Sequence, residues 1–92
     1  MEDKITKQKI EKYFHITAKA FAIARKSIAK TKTKQAQEII TMVDCYLKDS
    51  HYFKEKKDYV NCFASINYAH GWLDCGARLK IFAVVDDRLF TI

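Results

Sequence analysis

An all-α fold, a three-helix up-down-up bundle with a short apolar C-terminal tail, follows from three observations on this sequence. The chain has no proline and only two glycines, so most of the punctuation that hairpins and strand ends need is missing. Apolar residues recur at three- and four-residue spacing through three long stretches. The breaks between these stretches, Lys30-Thr31-Lys32-Thr33-Lys34 and Glu55-Lys56-Lys57-Asp58, are short, which makes successive helices antiparallel neighbours. A length of 92 residues suits one domain, residues 1–92, with room for a single modest core. The expected helices span about 3–30, 34–56 and 58–82, with the tail at 83–92.

Helix one is expected to start with Asp3 as its N-cap. Ile10, Tyr13, Phe14, Thr17, Ala20, Phe21, Ala24 and Ile28 fall on one face and form its core stripe. Residues 1–34 hold ten Lys or Arg against three acids, whereas residues 35–92 hold seven against eight. The net charge of +6 therefore belongs to helix one and its exit. Lys19, Arg25 and Lys26 on the far side are candidate contacts for RNA, DNA or another polyanion. The plainer reading of the same residues is a solvated charged face. The aromatics of this helix lie in the core stripe, so none is free to stack on bases.

Thr33 is placed to cap helix two, whose face Ala36, Ile39, Ile40, Val43, Tyr46, Leu47, Ser50 and Phe53 is apolar but for Ser50. Asp58 is placed to cap helix three. Residues Phe14, Phe21, Val43, Leu47, Phe63, Ile66 and Leu73 are the expected core.

Helix three differs from the others in having two apolar faces. Tyr59, Phe63, Ile66, Leu73, Ala77 and Ile81 make one; Tyr68, Trp72, Cys75, Leu79 and Phe82 make the other. The second face is surplus to a three-helix core, so Tyr68, Trp72, Leu79 and Phe82 form a candidate interface. Either a second subunit covers it or the tail folds back, with Leu89, Phe90 and Ile92 filling the groove. Between the faces runs a polar strip, Asn67, His70, Asp74 and Arg78, in which Asp74 and Arg78 stand in the favoured acid-first order for an ion pair. A hydrogen-bond network fixing helix register is one reading of the strip. An acidic-ligand or partner site, with Arg78 gripping the anion and His70 and Asn67 orienting it, is the other. Gly71 and Gly76 each cost a helix interior about 1 kcal/mol relative to alanine. Unless one of them ends the helix, close approach of another backbone is the expected reason for each.

The run INYAHGWLDCGARL, with the KEKKDYV approach to it, resembles the C-terminal signature of a small archaeal family known as domain of unknown function 357. The resemblance implies a three-helix bundle of about this size and carries no activity with it. Similar members often have glycine where this chain has Lys57, and alanine where it has Cys75, so neither side chain is expected to be a shared functional group. The helix order also resembles that of nucleotidyltransferase-associated helical domains. Their ribonuclease members use an arginine followed by a histidine, and no histidine follows Arg78 here.

No cofactor, metal site or catalytic constellation is expected. Three cysteines without close pairing suit a reducing compartment, and CxxC, HxxxH, HExxH and Gly-rich phosphate motifs are all missing. His70 and Cys75, five apart, diverge on a helix, and His15 and His51 read as surface imidazoles. No apolar run has the length of a membrane span, and a cytoplasmic protein is expected. The expected function is a non-enzymatic protein-interaction or scaffold module that self-associates as a homodimer or binds another protein. The alternative is an RNA- or nucleic-acid-binding accessory protein using helix one.

Overall fold

A computed structural model describes residues 1–91 as a three-helix bundle: α1 (Lys7–Arg25), α2 (Thr33–Glu55) and α3 (Tyr59–Arg78). Side-chain and backbone contacts fix the directions. Tyr13 meets Phe63, Thr17 meets His70 and Ile28 pairs with Phe82, so α1 and α3 run parallel. Tyr46 stacks on Tyr68 and Ile39 lies beside Gly76, so α2 runs antiparallel to α3. α3 packs along both other helices, whereas the backbones of α1 and α2 approach each other less closely. The core is continuous through α3, with Leu73, Ala69 and Ala77 facing Ala20, Phe21 and Ala24 from α1 and Ala36, Ile39, Val43 and Leu47 from α2. No helix among the described residues is long and apolar enough to cross a membrane.

α1 is shorter at both ends than its periodicity suggests. Thr6, and not Asp3, is the N-cap, its hydroxyl oxygen accepting the Lys9 N–H at 3.2 Å. Ile5, just before the cap, packs against the cluster of Ile10, Cys62 and Ile66, the positions of Ile5 and Ile10 being those of a hydrophobic staple. At the other end Ser27 donates its hydroxyl to the Ile23 carbonyl, and the helix stops at Arg25. Residues 27–29 then run extended against residues 81–83. Ala29 N–H donates to Ile81 O at 2.9 Å and Ala83 N–H to Ser27 O at 2.6 Å. Ile28 keeps its place against the core, which is why a helical reading of this stretch looks consistent. A 3-10 turn, Lys30–Lys32, leads into α2, where Thr33 donates its hydroxyl to Lys30 O and caps nothing.

α2 and α3 end alike. After α2, Lys57 N–H donates to Lys54 O and Asp58 N–H to Phe53 O; after α3, Lys80 N–H donates to Ala77 O and Ile81 N–H to Gly76 O. Both are Schellman motifs, which satisfy the last carbonyls and require one left-handed residue. Lys57 at φ 60° and Lys80 at φ 59° supply it. Asp58 then caps α3 as expected, accepting the Asn61 N–H.

Because α3 stops at Arg78 and not at residue 82, Phe82 lies off the helix and folds back into the core, 1% exposed. Gly76 makes room for it: a Cβ there would lie 2.5 and 2.6 Å from Phe82 ring atoms. The close approach expected at this glycine is thus to an aromatic ring and not to a backbone. The tail continues through a turn at residues 87–89 and buries Phe90 in the same core, with Leu89 and Val84 packed against it. Ile92 lies outside the described residues.

Candidate functional site

The burial pattern of α3 separates its two faces. Cys62, Ser65, Ile66, Ala69, Leu73, Gly76 and Ala77 turn inward. Tyr68 (63% exposed), Trp72 (37%) and Leu79 (60%) stay at the surface. Phe82 does not belong to this group, for it is buried beside Gly76. The tail docks within its own chain, and among the described residues Phe82 and Phe90 go to the core and not to the outward face. Val60, 67% exposed, extends the patch one helical step at a time through Ala64 to Tyr68. From Val60 to Leu79 the stripe is about 28 Å long at the helical rise. Tyr68 is braced by a stacked Tyr46 from α2, ring centroids 5.4 Å apart. Nothing within 4 Å would meet a Cβ at Gly71, and a shallow notch opens there between Tyr68, Trp72 and Cys75. The stripe therefore has both projecting rings and a hollow.

The polar strip divides. Asn67 and Arg78 are exposed, and among the described residues neither makes a side-chain hydrogen bond or ion pair to a neighbouring helix. Asp74 does not pair with Arg78. Its Oδ1 accepts the Thr91 backbone N–H at 2.9 Å and stands 3.5 Å from His70 Nε2. On the ring's other side, His70 Nδ1 lies 3.0 Å from Oγ1 of Thr17, a buried residue of α1. With the Nε2 proton facing Asp74, Nδ1 accepts from the Thr17 hydroxyl. The chain Thr17–His70–Asp74–Thr91 thus ties α1, α3 and the tail together. Among the described residues no buried side-chain polar atom is left without a partner.

Lys19, Arg25 and Lys26 are all exposed, and the Arg25 guanidinium lies 5.0 Å over the Phe21 ring. Cys45 and Cys75 are exposed and Cys62 is buried. Burial pushes the Cys62 thiol above its ordinary pKa, and the nearby Lys54 charge partly opposes this.

A second feature converges from all three helices. Where α1 and α2 part, a cleft of about 300 Å3 opens, floored by Ile10, Phe14, Cys62 and Ile66 and rimmed by Glu11, His15, His51 and Lys54. Phe14 meets the His51 ring edge-on at 4.9 Å between centroids. Ser50 also lines the cleft, but its hydroxyl is taken up by the Leu47 carbonyl at 2.6 Å. Helical periodicity marks Ile10, Phe14 and Ile66 as core, and no spacing in the sequence links them to His15, His51 or Lys54. Val60, by contrast, stands eight residues before Tyr68, two steps of four, and periodicity extended toward the N-terminus finds it.

The family model "Protein of unknown function (DUF357)" matches residues 12–82, and the chain belongs to that family. No curated protein and no solved structure matches it.

Proposed function

We propose that this member of the DUF357 family is a non-enzymatic interaction module that pairs with a second copy of itself through the outward stripe of α3. The observation that carries this is the exposure of Tyr68, Trp72 and Leu79 together, while Phe82, Leu89 and Phe90 of the tail pack on the core. A contiguous apolar surface on a small domain is usually an interface, and aromatic residues are favoured anchors at interface centres. A two-fold pairing needs projections and hollows on the same surface, because each copy presents the identical patch to the other. The stripe offers Trp72 and Leu79 as projections and the notch over Gly71 as the hollow.

Sedimentation equilibrium over a range of concentrations tests the reading. The expected result is a dimer that dissociates on dilution, with Trp72→Ala monomeric throughout and equally helical. A wild-type protein that stays monomeric at the highest concentration would refute it. Salt-sensitive retention of RNA, lost when Lys19, Arg25 and Lys26 are replaced together, would move the function to α1 instead.

A further inference from the structure

The end of the bundle where α1 stops, α2 starts and α3 stops carries almost all of the protein's net charge. Residues 27–37 and 75–85 meet there, with Ala29 N–H donating to Ile81 O and Ala83 N–H to Ser27 O, and this pairing brings Lys30 level with Lys80. The two segments hold Lys30, Lys32, Lys34, Arg78 and Lys80 and no acid, whereas the rest of the chain holds twelve Lys or Arg against eleven acids. Sequence alone separates these cations; the fold gathers them. Lys32 is half-buried and the other four are exposed, and among the described residues none of the five makes an ion pair. Like charges gathered in this way repel one another and work against the compact state. An anion from outside would remove that repulsion.

We infer that this basic end binds the phosphate backbone of a nucleic acid duplex without reading its bases. Thr31, Gln35 and Gln37 stand exposed among the lysines, and neutral donors of this kind serve phosphate oxygens alongside the cations. The single aromatic residue of the two segments, Phe82, is 1% exposed, so a single strand finds no ring here on which to stack its bases. Ile28 and Ala36 pack on the core, which leaves the connection between α1 and α2 with no large apolar side chain to enter a bilayer or an apolar pocket on a protein. A duplex carries one charge per about 1.7 Å of its axis. The two shorter dimensions of the molecule are 25 and 17 Å, so five cations spread over this end can each meet a separate phosphate. The surface adjoins the outward stripe of α3 at Leu79 and does not depend on self-association.

Fluorescence anisotropy of short labelled RNA and DNA duplexes, titrated with the full chain over a series of salt concentrations, reads the contact. Both duplexes should bind irrespective of sequence, and a single strand of the same length more weakly. The logarithm of the association constant should fall against the logarithm of salt with a slope of about 4–5, at about 0.9 for each of five phosphates. Replacing Lys30, Lys32 and Lys34 together by Gln should bring the slope down to about 2 with helicity unchanged. Lys80→Gly and Lys57→Gly each remove one charge from the same left-handed backbone conformation at opposite ends of the molecule, so the first should lower the slope by about 1 and the second should leave it alone. Trp72→Ala should bind the duplexes as wild type does, which keeps this result separate from self-association. Binding of neither duplex, an unchanged slope in the triple variant, an equal fall for Lys57→Gly, or tighter binding of the single strand would each overturn the assignment. So would loss of binding on replacing Lys19, Arg25 and Lys26 with the connecting lysines intact, or tighter binding to phosphatidylserine vesicles or polyglutamate than to either duplex.

Discussion

Lys57 and Lys80 hold the left-handed conformation that both Schellman motifs require, and for a residue with a Cβ that conformation costs about 1–2 kcal/mol. Glycine would relieve the clash at the price of a more flexible unfolded chain, so Lys57→Gly and Lys80→Gly should each raise stability by about 0.5–1 kcal/mol in urea unfolding. The two native glycines behave oppositely. At Gly76 a methyl group would strike Phe82, which is buried and flanked by Ile39, so Gly76→Ala should lose about 1–2 kcal/mol despite the gain in helix propensity. Gly71→Ala meets nothing in its own chain and should gain about 1 kcal/mol for the monomer. If the partner's side chain seats in the notch, the same change weakens the dimer, so the two measurements should move in opposite directions.

At the scale of elements, the polar strip of α3 is a joint. Asp74→Ala removes the acceptor for Thr91 and the partner of His70 at a half-buried site, and should cost about 1–2 kcal/mol by thermal or urea melts. Arg78→Ala should leave stability within error, because Arg78 is exposed and Asp74 is engaged elsewhere. Helical spacing put these residues on one face and favoured Arg78, four residues on, as the partner of Asp74; it gave no sign of Thr91, seventeen residues on, which holds that carboxylate instead. The same limit explains the helix ends. Periodicity carried α1 through Ile28 and α3 through Phe82, and both residues do pack on the core. They reach it from paired extended segments, whose backbone bonds between residues 27–29 and 81–83 leave no local trace in sequence. The middle of each helix was legible: Phe21, Val43, Leu47, Ile66 and Leu73 are buried, while Phe14 and Phe63 are half-buried at the cleft end.

For the whole molecule, the informative fact is where the apolar tail goes. The sequence marked it as too apolar to be free, and offered the outward face of α3 as its dock. Gly76 and the Schellman turn at Lys80 send Phe82 inward instead, and Phe90 follows into the core. That leaves a stripe from Val60 to Leu79 exposed among the described residues, and a cleft at the other seam that no single helix could reveal. Trp72, the only tryptophan, lies within the stripe and is 37% exposed, so its fluorescence reports on the proposed interface without a label. Acrylamide quenching of Trp72 across protein concentration is the most direct measurement. Quenching should be strong in dilute solution, fall as concentration rises, and recover on dilution with a midpoint matching the sedimentation result. A quenching constant that does not change with concentration would contradict self-association through this face.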